Sequence, residues 1–320
     1  FMGTYINKQK IDTGLENLIC KAISMIEESK RPLLYVGGGA VSSGASDKLI
    51  ELAEKIEAPV TTTLMGMSAF PSNHPLSLGM LGMHGTAYAN KAVMECDLLL
   101  ALGARFDDRV TGKVKKFAPK AKIIHVDIDP AELGKNVSID LGIKADVRQF
   151  IEKLITRIRP KRFIKWNAII DTWKKQYPLK YCLKGLKPQF IIEEIYRQTQ
   201  GDAIITTEVG QHQMWAAQYY KFKNPRSFIS SGGLGTMGFG LPAALGAKLG
   251  RPKKLVLNIA GDGSFEMHCH ELITAANYQI PIITVILNNQ SLGMVRQWQE
   301  LFYDKRYSHV QMNQNVDYVQ

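Results

Sequence analysis

The chain has 320 residues, of which 45% are hydrophobic, and its formal net charge is +11. This length favours two domains, and the hydrophobic fraction is high enough for each domain to bury a core. No apolar run is long enough to cross a membrane, and the first residues lack the apolar segment of a secretory signal, so we expect neither a membrane protein nor a secreted one. Residues 153–187 contain eleven Lys or Arg residues and one acid, which is typical of a solvated basic connection. Without a matching fold motif it does not indicate a nucleic-acid groove.

The four cysteines are scattered, at Cys20, Cys96, Cys182 and Cys269, and no two form a Cys-x-x-Cys pair. This distribution predicts reduced thiols in a reducing compartment. It argues against a disulfide framework and against a zinc site.

The first part of the chain alternates strands and helices. Short apolar runs predict strands at 31–36, 59–64, 97–103 and 123–127, and a helix is predicted at 45–56. Continuously apolar strands separated by helices indicate a parallel sheet covered on both faces. The sequence therefore predicts a doubly wound α/β domain over residues 1–158, followed by a basic interdomain linker over 159–187 in which Trp166 and Trp173 anchor the chain to a domain surface.

A second doubly wound domain is predicted over residues 188–320. The predicted elements are helices at 189–198, 241–249 and 292–302 and strands at 203–207, 255–259 and 281–287. Because a doubly wound sheet normally has further strands, we expect this domain to be truncated.

Asp262 follows one predicted strand of the second domain and Asn289 follows the next, with a helix-like segment between them. A crossover helix places the ends of two parallel strands side by side at the carboxyl edge of the sheet. A carboxylate, a side-chain amide and a backbone carbonyl are oxygen ligands that suit Mg²⁺ when the ion bridges a diphosphate. The alternative for this pattern is a strand–turn–helix with a capping Asp and an Asn-Asn turn.

Several further runs identify a family that the chain resembles. They are LGMHG at 81–85, GARFDDR at 103–109, GQHQMW at 210–215, SGGLG at 231–235, GDGS at 261–264, LNN at 287–289 and LGMVRQW at 292–298. Together these runs resemble the thiamin-diphosphate-dependent catalytic subunit of acetohydroxyacid synthase, also called acetolactate synthase, over nearly the whole chain.

The resemblance implies the decarboxylation of pyruvate and its ligation to a second 2-ketoacid. The products are 2-acetolactate or 2-aceto-2-hydroxybutyrate, in branched-chain amino-acid biosynthesis. It implies thiamin diphosphate, Mg²⁺ and an FAD that takes no part in net redox chemistry. It also implies small 2-ketoacids as substrates, a homodimer or tetramer, a possible regulatory small subunit, and a location in the bacterial cytoplasm or the plastid stroma.

By matching motif positions, the resemblance assigns residues to each ligand. The Mg²⁺ ligands are Asp262, Asn289 and the carbonyl of Ser291, and Gln211 and Met237 are catalytic in the sense of positioning the cofactor. The residues implied to contact thiamin diphosphate are Gly210, Gln211, His212, Gly235, Met237, Gly261, Asp262, Gly263, Ser264, Asn289, Ser291, Leu292, Gly293 and Met294. The residues implied to contact FAD are Gly38, Thr63, Leu64, Leu81, Gly82, Met83, His84, Gly103, Arg105, Asp127, Ile128 and Asp146.

Arg109 and Trp298 are implied to shape the substrate site, because Arg can clamp a carboxylate and an indole can form an apolar wall. The alternatives are a surface ion pair of Arg109 with Asp107 or Asp108, and core packing of Trp298.

In this family the glutamate that protonates the aminopyrimidine lies in an amino-terminal domain, and no residue of this chain can be assigned that role. We therefore expect the isolated chain to be inactive, with Glu208 the first residue to test if it is not. The rival interpretations are another thiamin-diphosphate enzyme, of the glyoxylate carboligase or pyruvate oxidase type, and a non-catalytic cofactor-binding fragment. The runs at 106–109 and 294–298 argue against the first rival.

Overall fold

The computed structural model describes residues 13–312 and 316–319. Residues 1–12 of the predicted first domain, and residues 313–315 and 320 of the predicted second domain, lie outside this description.

The first domain is a layered α/β structure. Its strands are β1 (Pro32–Val36), β2 (Val60–Thr62), β3 (Ser77–Met80), β4 (Leu98–Leu102), β5 (Lys122–Asp127) and β6 (Leu141–Lys144). Its helices are α1 (Thr13–Glu28), α2 (Gly38–Ser42), α3 (Ser46–Lys55), α4 (Ala87–Glu95), α5 (Asp108–Thr111) and α6 (Val147–Ile155), with a 3₁₀ turn at Val114–Lys116.

Within the described residues these six strands form one parallel sheet in the order β3-β2-β1-β4-β5-β6. The chain winds outwards from β1 in one direction and from β4 in the other, so the strand order reverses between β1 and β4. Ligands of open α/β sheets bind beyond the carboxyl ends of the strands at such a reversal. Every residue of β1 and β4 is buried, as the predicted cover on both faces requires.

The predicted doubly wound fold is confirmed, and the four predicted strands and the predicted helix are present. Strands β3 and β6 were not predicted. Each is a short strand at an edge of the sheet and contains a glycine, Gly79 or Gly142. An edge strand buries less surface than a central one, so its apolar signal in the sequence is weak.

The basic segment contains the helix α7 (Ile164–Gln176). Trp166 is only 2% exposed and its Nε1 donates to the carbonyl of Pro32 at 3.0 Å, so this tryptophan lies in the first core and not on its surface. Lys161 Nζ donates to the carbonyls of Ile26 and Ser29 at the end of α1. Part of the positive charge is thus placed at the negative end of a helix dipole. The boundaries of the linker remain predictions.

The second domain continues with the same alternation. Its strands are β7 (Ile204–Thr207), β8 (Phe228–Ser230), β9 (Val256–Gly261) and β10 (Ile283–Leu287). Its helices are α8 (Pro188–Thr199), α9 (Gln211–Tyr219), α10 (Gly240–Gly250), α11 (Asp262–Phe265), α12 (Glu271–Asn277) and α13 (Gly293–Phe302). In the described part of the chain, the four strands form a parallel sheet in the order β10-β9-β7-β8. The three-residue strand β8 was not predicted.

The two domains pack against each other. Met67 and Met80 of the first domain are buried in the hydrophobic core of the second, and Ser72 and Phe222 exchange two hydrogen bonds. Gln218 Nε2 also donates to the carbonyl of His84 at 2.7 Å. None of the helices in the described ranges is both long and apolar enough to cross a membrane.

Candidate functional site

The ends of β9 and β10 form one corner of the site. Leu287 pairs with Gly261 across these adjacent parallel strands, so Asp262 and the turn after β10 meet at the same edge. Asp262 is 2% exposed, and its Oδ2 accepts a hydrogen bond of 2.7 Å from the backbone N–H of Gln290. The structure therefore brings together the two segments that the sequence analysis placed side by side.

The side chain of Asn289 links this corner to helix α9. Its Nδ2 lies 3.4 Å from Gln211 Oε1 and its Oδ1 accepts from the backbone N–H of Ser291 at 3.1 Å. A carboxylate and a side-chain amide thus lie at the same short turn, and oxygen donors of this kind suit a hard cation such as Mg²⁺. We call Gln211, His212, Asp262, Asn289 and Ser291 the diphosphate corner. Their roles as ligands stay predictions.

Helix α9 begins beside this corner, and two buried side chains hold its first turn in place. His212 is buried, with Nε2 3.3 Å from Glu208 Oε1. The neighbouring Gln213 is also buried, and its Nε2 donates to Ser230 Oγ on β8 at 2.6 Å. The start of α9 is therefore tied to two strand ends, and it presents Gln211 and His212 at the carboxyl edge of the sheet.

A cleft of about 1340 Å³ lies between the two domains. It runs along the carboxyl ends of β1, β2, β3, β4 and β5. Such a volume exceeds that of most single-ligand pockets. The predicted FAD contacts that line it are Gly38, Thr63, Leu64, Leu81, Met83, His84, Gly103, Arg105 and Asp127.

The remaining predicted FAD contacts, all of which the structure describes, do not line this cleft. Gly82 forms two backbone hydrogen bonds with the side chain of Asn90. Ile128 lies beyond β5 and is exposed. Asp146 caps helix α6, where its Oδ1 accepts from the N–H of Gln149 at 3.1 Å.

Of the residues predicted to contact thiamin diphosphate, Gly235 and Met294 line the cleft. The others lie in or next to the diphosphate corner or in the loop before α10. Ser264 Oγ donates to the carbonyl of Val209 at 3.3 Å and Leu292 N to the carbonyl of Val310 at 2.8 Å. Those located outside the cleft lining are Gly210, Gln211, His212, Met237, Gly261, Asp262, Gly263, Ser264, Asn289, Ser291, Leu292 and Gly293.

Arg109 and Trp298 meet across the cleft from different domains. The guanidinium carbon of Arg109 lies 4.9 Å from the centre of the Trp298 ring, a cation–π contact. The ion pair of Arg109 with Asp108 also exists, at 3.6 Å, but both side chains are mostly exposed, and such pairs contribute little. Trp298 is half-buried against Phe302, so it is not a core residue.

Comparison with known proteins places the chain in a family. Residues 19–154 match the family model "Thiamine pyrophosphate enzyme, central domain", and residues 208–320 match "Thiamine pyrophosphate enzyme, C-terminal TPP binding domain". The chain belongs to the thiamine pyrophosphate enzymes. Within this family the central-domain match covers the β1–β6 sheet, and the carboxyl-terminal match contains the diphosphate corner.

The chain is similar to curated acetolactate synthase large subunits. It is 53% identical to the one from Parasynechococcus marenigrum over 92% of this chain and 48% of that protein. It is 48% identical to the one from Buchnera aphidicola subsp. Schizaphis graminum over 96% of this chain and 55% of that protein. It is also 48% identical to a probable acetolactate synthase large subunit of Methanocaldococcus jannaschii, over 94% of this chain and 53% of that protein. The chain thus spans about half the length of these relatives, and the resemblance expected from its motifs is confirmed.

Charged side chains in the cleft of this thiamine pyrophosphate enzyme pair with one another and shift one another's pKa. Arg105 pairs with Asp107 at 2.5 Å. Burial acts to raise the pKa of Asp107, but the N–H of Arg109, the Asp108 side chain and the two arginine charges outweigh it, so the pKa is lowered. Burial and the charge of Arg109 lower the pKa of His84. The cleft wall thus carries Arg105 and Arg109 beside Asp107 and Asp108, so charged groups of both signs face a ligand there.

Asp107 and Glu208 were given no binding role by the sequence analysis. Asp107 was considered only as an ion-pair partner of Arg109, and the structure shows that it pairs with Arg105 on the cleft wall. Glu208 is 1% exposed and accepts the N–H of Gly240 at 2.7 Å. Its sequence signal was an acid between an apolar strand and the Gly-Gln-His run.

Proposed function

We propose that these residues form the flavin-contacting and diphosphate-binding parts of an acetohydroxyacid synthase catalytic subunit. The reaction is the decarboxylation of pyruvate and its ligation to a second 2-ketoacid. The observation that carries the proposal is the 48–53% identity to proteins named acetolactate synthase large subunit over at least 92% of this chain. That identity spans both domains and favours this reaction over glyoxylate carboligation or pyruvate oxidation.

In this proposal the diphosphate corner holds Mg²⁺ and the diphosphate of thiamin diphosphate. Asp262 and Asn289 contribute side-chain oxygens, and Ser291 contributes its carbonyl. When bound, thiamin diphosphate supplies the electron sink that the reaction needs. The chain's own residues hold its charged end at the carboxyl edge of β9 and β10.

The cleft between the domains binds FAD along the ends of β1 to β5. The loops after β1 and β4 touch there, since Gly37 N donates to the Leu102 carbonyl at 2.9 Å and Gly39 N to the Gly103 carbonyl at 3.0 Å. A Cβ added to Gly37 would lie 2.1 Å from the Gly103 oxygen, so only glycine permits this approach. The resulting glycine-lined wall, with Arg105 beside it, suits a nucleotide with a charged linkage.

Arg109 and Trp298 bind the 2-ketoacid that accepts the new carbon–carbon bond. A guanidinium that lies over an indole still has N–H groups free at its edge, so two of them can donate to one carboxylate. The indole forms an apolar wall for the alkyl group of that acid. The site would then favour the longer 2-ketobutyrate, because the extra methylene gains contact with the ring.

The partners follow from the same proposal. The relatives are named large subunits, so we propose a regulatory small subunit as a partner, and a homodimer or tetramer of the catalytic chain. The proposed location is the bacterial cytoplasm or the plastid stroma.

Two binding measurements on this chain test the cofactor assignments. Isothermal titration with thiamin diphosphate should show binding that depends on Mg²⁺, and titration with FAD should show binding to the first domain. Product analysis then tests the reaction in a protein that carries these residues within a chain of the relatives' length. Pyruvate alone should give 2-acetolactate, with no net reduction of the flavin. Stoichiometric flavin reduction by pyruvate would support a pyruvate oxidase instead.

A further inference from the structure

Glu208 is a buried acid that none of the binding roles above uses. It follows β7, next to β9 in the sheet, where the strand order of the second domain reverses. Its Oε2 accepts the N–H of Gly240 at the start of α10. A carboxylate at a helix start is stabilised by the free N–H groups and by the helix dipole, so this acid joins α10 to the end of β7.

The second oxygen of Glu208 faces a histidine of the diphosphate corner. Oε1 lies 3.3 Å from Nε2 of His212, and among the described residues neither atom has a hydrogen-bond partner. Buried polar groups in native proteins almost always find a partner. At this separation a small ring rotation lets the two atoms satisfy each other.

The opposite edge of the His212 ring faces the corner itself. A Cβ added to Gly210 would lie 2.5 Å from Nδ1, and one added to Gly261 would lie 2.8 Å from the same atom. These glycines immediately precede Gln211 and Asp262. The orientation of this imidazole is therefore set by Glu208 on one side and by two glycine backbones on the other.

We propose that Glu208 is a positioning residue for the diphosphate site. Its Oε1 accepts the Nε2–H of His212, which holds the ring with Nδ1 toward Gly210 and Gly261, while its Oε2 holds the start of α10. In a neutral imidazole one nitrogen carries the proton, and the partner of that nitrogen decides which. Glu208 thereby fixes both the orientation and the tautomer of the ring.

The same carboxylate also supports the loop before α10. Residues 231–239, which include Gly235 and Met237, lead directly into Gly240. Thr206 Oγ1 donates to the carbonyl of Gly240 at 2.9 Å, so both backbone groups of this glycine are tied to the end of β7. Loss of Glu208 would release one of these two ties together with the His212 ring.

The inference rests on the proposed function only for the identity of the ligand, and a spectroscopic test does not need that ligand. Nitrogen NMR of the ligand-free chain with ¹⁵N-labelled histidine, at pH 8, should show His212 with its proton on Nε2. In Glu208→Gln the amide nitrogen can face Nε2, so the preference for that tautomer should weaken or reverse. Glu194→Gln replaces a partly exposed acid on α8 that pairs with Arg197; it is the matched control and should leave the His212 signals unchanged.

Binding gives the second readout. Glu208→Gln should weaken Mg²⁺-dependent binding of thiamin diphosphate by about 10- to 100-fold, the range seen when the carboxylate that orients a ligating histidine is replaced. FAD affinity, measured in the same samples, should change by less than about two-fold, because Glu208 does not line the cleft between the domains and the amide oxygen of the variant can still accept the N–H of Gly240 that holds the neighbouring loop. A defect that was merely structural would lower both affinities.

The outcomes separate the two proposals. A wild-type chain whose His212 carries the proton on Nδ1 would overturn the inference, as would a Glu208→Gln chain with unchanged tautomer and affinity. If the variant does not fold, the wild-type spectrum decides. If the wild-type chain binds no thiamin diphosphate while His212 shows the Nε2–H tautomer, the proposed function fails and the positioning role stands.

Discussion

Replacing Asp262 separates its structural role from its proposed role at the metal. In Asp262→Ala the backbone N–H of Gln290 loses its shorter, buried acceptor and keeps the exposed Asn288 Oδ1 at 3.2 Å, whereas in Asp262→Asn the side-chain carbonyl can still accept it. Hydrogen bonds to charged groups contribute about 1.5–3 kcal/mol. For a domain of this size, each kcal/mol corresponds to about 2–4 °C in melting temperature. We therefore expect Asp262→Ala to melt about 3–12 °C lower, and Asp262→Asn to lose much less.

Cofactor binding should respond differently. Both variants remove the negative charge of the proposed Mg²⁺ ligand, so both should weaken Mg²⁺-dependent binding of thiamin diphosphate. Even outer partners of a ligand contribute 10- to 100-fold, so the loss of a direct ligand should exceed about 100-fold. The matched control is Asp202→Asn, an exposed acid that pairs with Lys254.

The assays are isothermal titration with and without Mg²⁺ and thermal unfolding of the ligand-free chain. The expected pattern is two equally poor binders of which only one is strongly destabilised. Retained Mg²⁺-dependent affinity in Asp262→Asn would remove Asp262 from the metal site. An unchanged melting temperature in Asp262→Ala would show that the bond to Gln290 does not hold the turn after β10.

Three further predictions concern the acceptor pocket, pH and the linker. In a protein of the relatives' length, Trp298→Leu should lower the preference for 2-ketobutyrate over pyruvate by tens of fold at most, and an unchanged product ratio would contradict its role as a wall. Burial lowers the pKa of His125, so below about pH 6.5 the unfolded chain takes up a proton that the folded chain does not. Stability should then fall toward acid by up to about 1.4 kcal/mol per pH unit, and the melting temperature of His125→Gln should fall less between pH 7.5 and 5.5. Trp166→Ala should destabilise the first domain by about 3–5 kcal/mol. The partly exposed Trp173→Ala should cost less, and equal costs by urea unfolding would contradict the buried anchor.

The sequence predicted those parts of the molecule that depend on local pattern. Central strands such as β1 and β4 are buried on both faces, so they must be apolar throughout, and this makes them easy to recognise in the sequence. Asp262 and Asn289 could be placed together because a helical crossover makes the two strands parallel, so that both end at the carboxyl edge, and strands that follow each other in sequence are usually neighbours. Strands β3, β6 and β8 were missed because they are three or four residues long and only partly buried.

Contacts between distant segments could not be predicted in this way. The proximity of Arg109 to Trp298 depends on how two sheets dock, and no period in the sequence encodes that. Glu208 and His212 are only four residues apart in sequence. Their contact could not be predicted because it depends on the burial of both side chains next to the start of α10. Asp146 was assigned to the flavin site, and its side chain also caps α6; an Asp before a helix suits either role, so the sequence does not distinguish them.

The burial of Met67 and Met80 limits how often the two domains move apart around the cleft. Both side chains are nearly fully buried, at 4% and 6% exposure, in the core of the opposite domain. Swinging the domains apart would expose the parts of these side chains that the second domain covers, at up to about 1.5–3 kcal/mol for each side chain. At that upper limit the sum, about 3–6 kcal/mol, corresponds to fewer than about one molecule in a hundred with the domains separated. Ligands would therefore enter a gap that is already open, and the chain should melt as one cooperative unit in calorimetry.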